Sequence, residues 1–293
     1  MTLEMKILRK REELRAWVAD QKAQGHSVAL VPTMGALHAG HLSLMTRAVA
    51  ENDAVVASVF VNPTQFNNPH DLETYPRTEE ADFRLLEGAG VEAVFAPAVE
   101  EIYPKEEADK PAHVFDLGEV AEVMEGKYRP GHFQGVAQIV SLLFRLATPD
   151  RAYFGEKDFQ QIAVLRRMAA TEGLTDIEIV ACPILREADG LALSSRNVRL
   201  TPEQRAIAPG IHRILAQSVE YSQSHTPGET HDYVVAEVNA LPQCEVEYYS
   251  IVDSLTLQDV AGWDSENGTT GCITVYCGDV RLIDNICYRT PQK

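Results

Sequence analysis

Two histidines, His38 and His41, stand where a short apolar run (27–32) gives way to a helical pattern that extends to about residue 51. A spacing of three puts both side chains on one helix face. The start of a helix offers free N–H groups and a partial positive charge, which suit phosphate. Two imidazoles there can hold a polyphosphate and stabilise charge on leaving pyrophosphate. In the string Val31-Pro32-Thr33-Met34-Gly35-Ala36-Leu37-His38-Ala39-Gly40-His41, Gly35 and Gly40 let a ligand come close to the backbone. One competing reading is a plain turn at Gly35 with two surface histidines. A zinc site would call for histidines four apart and a third ligand, and none is evident. The position between strand and helix favours nucleotide.

Four further strings carry polar groups. Phe60-Val61-Asn62-Pro63-Thr64-Gln65-Phe66 follows a second apolar run. Asn62 and Gln65 are neutral and can hydrogen-bond a hydroxyl or a carboxylate without changing net charge, although Asn-Pro alone would read as a turn. Lys157, in Phe154-Gly155-Glu156-Lys157-Asp158-Phe159-Gln160-Gln161, follows a short strand and precedes a helix. Its point charge can pair with phosphate oxygens. Asp158 and Gln161 have the spacing of an N-cap and the third helical position, so capping is an alternative for Asp158. In Leu193-Ser194-Ser195-Arg196-Asn197, two hydroxyls beside a guanidinium can wrap phosphates. Tyr128-Arg129-Pro130-Gly131-His132-Phe133-Gln134-Gly135-Val136 precedes a helical run, and its functional and structural readings weigh equally.

These residues need a scaffold that presents them at strand ends. Strand-like and helix-like runs alternate over the first 185 residues or so: strands at 27–32, 54–61, 92–96, 152–154 and 177–184, helices at 38–51, 78–90, 133–146 and 159–171. Continuous apolar strands separated by helices predict a doubly wound, Rossmann-like α/β fold with a parallel sheet, whose ligands lie at the carboxyl ends of strands. The domain is expected to span 1–184. Residues 185–293 then form a smaller α+β domain acting as a lid. In it, Thr201-Pro202-Glu203-Gln204 starts a helix, Pro209-Gly210 breaks it, and strands at 246–252, 272–276 and 280–283 include a tight hairpin at Gly278-Asp279. Residues 222–229 read as a polar loop, and the N-terminal residues as a charged helix with no apolar leader.

A net charge of −17 disfavours nucleic acid as a partner, and an acidic chain that binds ATP must concentrate positive charge and N–H groups at one place. The five cysteines are odd in number and lack C-x-x-C spacing, which predicts reduced thiols in a cytoplasmic protein. No run approaches the ~18 apolar residues that would span a membrane.

Taken together, the strings resemble the pantothenate synthetase family, within the nucleotidyltransferases marked by the HxGH motif. The likeness runs from Pro32 to Arg281-Leu282-Ile283-Asp284-Asn285. Thr64 and Tyr276-Cys277-Gly278 are minor departures. The resemblance implies ATP-dependent ligation of pantoate and β-alanine through a noncovalent pantoyl adenylate. It implies Mg²⁺ brought by ATP with no protein metal ligands assigned, and a homodimer. Catalytic roles fall to His41 and His38, with Lys157, Ser194, Ser195 and Arg196 on phosphates. Met34, Gly35, Gly40, Gly155, Glu156, Asp158, Leu185 and Leu193 complete the ATP contacts, Leu185 through its backbone. Gln65, Gln161 and Asn62 take the substrates, and the segment around His132 lines the pantoate pocket. The Ser194–Arg196 stretch plays the part of the mobile phosphate loop of class I synthetases. The rivals are an HxGH enzyme acting on another acid or transferring a nucleotide, and a nucleotide-binding regulator; neither accounts for the neutral glutamines.

Overall fold

A computed structural model describes residues 4–67, 69–105 and 113–291. The chain forms two compact units. The first comprises residues 1–118, 129–155 and 164–182, and the second residues 119–128, 156–163 and 183–293.

The first unit is built on a six-stranded parallel sheet. In chain order its elements are β1 (Lys6–Leu8), α1 (Arg11–Ala23), β2 (Val28–Thr33), α2 (Ala39–Glu51), β3 (Ala54–Val59), α3 (Pro69–Glu73), α4 (Glu79–Gly88), β4 (Ala93–Phe95) and α5 (Val99–Ile102). Across the unit boundary the chain forms α6 (Met124–Tyr128), then α7 (His132–Ala147), β5 (Arg151–Gly155), α8 (Phe159–Thr171) and β6 (Glu178–Cys182). The strand order is β1-β4-β3-β2-β5-β6. Val28, Ala29, Leu30 and Val31 are all fully buried, because β2 is covered on both faces. Ala29, Val31, Val55, Ala57 and Val94 pack against Leu44, Met45 and Ala48 of α2 and Leu86 of α4. The order runs away from β2 in both directions, through β3 on one side and β5 on the other. The switch point therefore lies between β2 and β5, at whose carboxyl ends an open α/β sheet forms its crevice.

The second unit carries a three-stranded antiparallel sheet of β7 (Cys244–Asp253), β8 (Thr269–Cys277) and β9 (Val280–Arg289). Its helices are α9 (Pro202–Ile207), α10 (Pro209–Tyr221) and α11 (Pro227–Asn239). Ile211, Ile214, Leu215, Val234 and Val238 of α10 and α11 pack on Tyr249, Ile251, Ile273 and Val275 of the sheet. Another cluster joins Met124, Phe159 and Ala163 to Val252, Leu257 and Cys272, so 119–128 and the first turn of α8 belong to this unit. A polar clamp holds them. Arg281 donates to Glu125 Oε2 at 2.8 Å and Oε1 at 2.7 Å and to Glu247 Oε2 at 2.5 Å. Glu125 Oε1 also accepts from the Tyr248 hydroxyl at 2.8 Å and the Thr274 hydroxyl at 3.0 Å. Gly278, at φ +57°, turns β8 into β9 as the Gly-Asp dipeptide predicts.

Two local expectations are corrected. Among the described N-terminal residues an edge strand precedes the helix: Lys6–Leu8 pairs parallel with Ala93–Phe95, and the helix starts at Arg11. The sheet edge supplies backbone partners, which a charged sequence does not reveal. Residues 222–229 are not all loop either. Thr226 caps α11, its hydroxyl accepting from the Glu229 N–H at 3.2 Å and the Glu229 carboxylate accepting in return from the Thr226 N–H at 2.8 Å. Among the described residues no helix is long and apolar enough to cross a membrane.

Candidate active site

At the end of β2 the chain makes a sharp, fully specified turn. Thr33 Oγ1 donates to the Ser58 carbonyl at 2.6 Å and accepts from the Gly35 N–H at 3.2 Å. Gly35 has φ +79°, and a Cβ there would lie 3.0 Å from Asp82 Oδ2 and 3.1 Å from Val59 Cγ1. Both conformation and space require glycine. Asp82 holds the next two residues: its carboxylate accepts from the Ala36 N–H at 3.0 Å, the Leu37 N–H at 2.8 Å and the Thr78 hydroxyl at 3.1 Å. Ala36 sits at φ +52°, a left-handed conformation that these bonds sustain. Asp82 stands outside every motif of the sequence. Its signal is an acid four residues before Leu86, on the buried face of a helix.

His38 is the N-cap of α2. Its Nδ1 accepts from the Gly40 N–H at 3.1 Å, and His41 Nδ1 accepts from the His38 N–H at 3.4 Å. A backbone N–H can only donate, so both Nδ1 atoms are acceptors. Each neutral ring then carries its proton on Nε2. The two rings lie 4.1 Å apart, centroid to centroid, tilted by 39°. Both rings thus sit at the start of a helix with Nε2 as the protonated nitrogen of the neutral form.

The Asn62–Gln65 turn follows β3. Asn62 is 1% exposed, and its amide hydrogens go to Gln65 Oε1 and the Gly135 carbonyl, each at 3.1 Å. Its Oδ1 accepts from the Tyr103 hydroxyl at 2.7 Å and the Thr64 hydroxyl at 3.0 Å. Burial raises the Tyr103 pKa, which keeps that phenol a neutral donor. Asn62 is thus woven into the turn, and it aligns the Gln65 carboxamide, whose Nε2 meets Met34 Sδ at 2.9 Å. The Tyr128–Val136 string supports the same turn. His132 Nδ1 lies 2.8 Å from the Gln65 carbonyl. Gly135 lies so close to the Thr64 carbonyl that a Cβ could not fit. In the first unit, then, Met34 and Gly35 lie in the turn after β2 and His38, Gly40 and His41 at the start of α2, while the Asn62–Gln65 turn, backed by His132 at the start of α7, touches the β2 turn at Met34.

In the second unit, Glu156–Asp158 forms a 3-10 turn leading into α8. The Lys157 ammonium is 3.3 Å from the Asp158 carboxylate. Gln161 lies in the first turn of α8, partly exposed. The neighbouring Gln160 is buried and structural: its Nε2 donates to the Val120 and Val123 carbonyls, both at 2.8 Å, and its Oε1 accepts from the Glu125 N–H at 2.9 Å. Leu185 and Leu193 face one another across a small hairpin, the Leu193 N–H donating to the Leu185 carbonyl at 3.1 Å. That hairpin delivers Ser194, whose hydroxyl accepts from the Arg196 N–H at 3.3 Å and caps the turn Ser195–Arg199. Lys157 and the Ser194–Arg196 stretch thus present an ammonium, two hydroxyls and a guanidinium, a donor set for phosphate oxygens. Among the described residues no group of three or more His, Cys, Asp and Glu is arranged to hold a metal ion.

The chain matches the Pantoate-beta-alanine ligase family over residues 6–287. A pantothenate synthetase of Porphyromonas gingivalis strain W83 is 60% identical over 97% of this chain and 99% of its own length. The crystal structure of pantothenate synthetase from Thermus thermophilus superposes with a TM-score of 0.88 at 44% identity, covering 96% of this chain and 99% of that one. The pantoate-beta-alanine ligase of Francisella tularensis, solved with β-γ ATP and β-alanine, has a TM-score of 0.80 at 33% identity over 97% and 98% of the two chains. The chain belongs to the pantoate-beta-alanine ligase family, enzymes that condense pantoate with β-alanine in an ATP-dependent reaction.

Proposed function

We propose that this chain carries out the condensation in two half-reactions through a pantoyl adenylate that is never covalently attached to the protein. A pantoate carboxylate oxygen attacks the α-phosphorus of ATP, and the bond to the bridging oxygen breaks to release pyrophosphate. The β-alanine amine then attacks the acyl carbon of the mixed anhydride, and AMP leaves as the amine gives up a proton. Free carboxylate is a poor acyl donor, and the adenylate supplies the leaving group.

The observation that carries this reading is the cap geometry at His38 and His41, where backbone N–H groups point at both Nδ1 atoms and direct a neutral ring's proton to Nε2. Two Nε2–H donors at a helix start suit the oxygens on which negative charge grows as pyrophosphate departs. Lys157, Ser194, Ser195 and Arg196 add positive charge and hydroxyls toward the phosphates, with Met34, Gly35, Gly40, Gly155, Glu156, Asp158, Leu185 and Leu193 as the remaining nucleotide contacts. Gln65 and Gln161 take pantoate, and Asn62 keeps the Gln65 amide in its working orientation. Mg²⁺ enters with ATP as part of the substrate, held mainly by phosphate oxygens. The family resemblance also supports a cytoplasmic homodimer, whose dimeric state sedimentation analysis of the purified chain checks.

Product analysis tests the function. With ATP, pantoate and β-alanine the expected products are pantothenate, AMP and pyrophosphate in equal amounts. Release of ADP and inorganic phosphate would replace the adenylate with an acyl phosphate and overturn the reading.

A further inference from the structure

The string Arg281-Leu282-Ile283-Asp284-Asn285 lies on β9 and has no part in the chemistry derived above. Two of its polar side chains are nonetheless buried: Asp284 is 7% exposed and Asn285 9%. The Asn285 carboxamide nitrogen donates to two successive carbonyl oxygens, Glu156 at 2.8 Å and Lys157 at 3.2 Å. Both partners can only accept, so the orientation of the amide is fixed by chemistry. The two carbonyls belong to the short 3-10 turn that carries Lys157.

The support behind Asn285 is equally definite. Its backbone is paired in the β8–β9 ladder opposite Cys272. Its N–H donates to Asp284 Oδ1 at 2.8 Å. The same carboxylate accepts from both terminal nitrogens of Arg186, at 2.7 and 2.9 Å. The turn that carries Lys157 is thereby tied, through one side chain, to the rigid sheet of the second unit.

We infer that Asn285 is a positioning residue for adenylation: it fixes the Glu156–Lys157 peptide and so the place from which the Lys157 ammonium acts. The inference rests on the reading of Lys157 as a phosphate ligand. A lysine has a flexible four-carbon stem and little orientational preference of its own, so its reach is governed by where the backbone holds its Cα. A misplacement of about 1 Å at a reacting group costs as much as ~10²-fold in rate.

The test uses the full chain with pyrophosphate–ATP exchange in the presence of pantoate, alongside thermal melting. Asn285→Ala is expected to lower the exchange kcat by roughly 10- to 100-fold, with the pantoate KM within about twofold of the starting value. Asn285→Asp should be worse than Asn285→Ala. It sets a carboxylate against two carbonyl oxygens and draws the ammonium toward itself. Asn285→Ser, which keeps one donor, should fall between Asn285→Ala and the unaltered chain and serves if Asn285→Ala does not fold. Combined with Lys157→Ala, Asn285→Ala should bring no further loss, because it acts through the missing ammonium. Normal exchange in a folded Asn285→Ala or Asn285→Ser chain, or an undiminished effect in the Lys157→Ala background, would overturn the inference. Near-normal exchange by Lys157→Ala alone would instead sink the phosphate reading on which it stands.

Discussion

His38 and His41 illustrate how a three-residue spacing becomes a chemical device. Two backbone N–H groups hold both Nδ1 atoms as acceptors, and the rings are left with Nε2–H as donors. Spacing alone announced a shared helix face; the tautomer required the cap geometry. Lys157 contributes charge, and Lys157→Ala is expected to lower adenylation by ~10²–10³-fold while leaving the melting temperature near that of the unaltered chain. Turnover and melting measured on the same preparation check this, and near-normal turnover would remove Lys157 from the mechanism. Under the proposed function the two glutamines hold the other substrate. Gln65→Ala and Gln161→Ala should each raise the pantoate KM more than the ATP KM, since neither side chain belongs to the phosphate donor set. Separate titrations of the two substrates decide it. A change confined to ATP would move the glutamines to the nucleotide.

At the scale of elements, the packing that presents these residues also gives a prediction about acid stability. Asp253, at the end of β7, is partly buried, which by itself would raise its pKa. Bonds from the Ser265 hydroxyl, the Thr256 N–H, the Asn267 amide and the Leu255 N–H outweigh that and hold it well below the usual carboxylate range. A depressed folded-state pKa contributes stability above the unfolded value of ~3.9, and that contribution is lost as pH falls through the folded value. Asp253→Asn should therefore be less stable than the unaltered chain at pH ~6, with the gap narrowing steadily below about pH 4. Urea midpoints at a series of pH values check it, and a gap independent of pH would contradict it. The elements also show what the sequence made legible. The apolar run at 27–32 and the helix at 159–171 were readable because burial on both faces and helical periodicity leave direct marks on residue type. Thr201-Pro202-Glu203-Gln204 announced its helix through a capping box. Thr226-Pro227-Gly228-Glu229 carries the same box, yet Gly228 and the surrounding polar residues disguised it as loop. β1 was hidden because an edge strand of three residues is defined by its partner, β4, and not by its own composition. Asp82 and Asn285 escaped for a related reason: each is known by backbone groups far away in the chain, at Ala36 and Leu37 for one and at Glu156 and Lys157 for the other.

At the scale of the whole molecule, a net charge of −17 sets the problem that the candidate site must solve. The general field repels a polyanion, so under the proposed function nucleotide affinity comes from short-range donors: N–H groups and imidazoles of the first unit, and, separately, an ammonium and a guanidinium of the second. These are all noncovalent devices. No serine or cysteine in the chain occupies a recognisable nucleophile motif, which is why the proposed intermediate is noncovalent. The proposed reaction therefore has a freely reversible first half that needs no amine. Exchange of labelled pyrophosphate into ATP tests it most directly. With ATP, Mg²⁺ and pantoate present and β-alanine absent, label should appear in ATP; omission of pantoate should stop it, and His41→Ala should suppress it strongly. Exchange that strictly requires β-alanine would mean that no adenylate forms ahead of the amine.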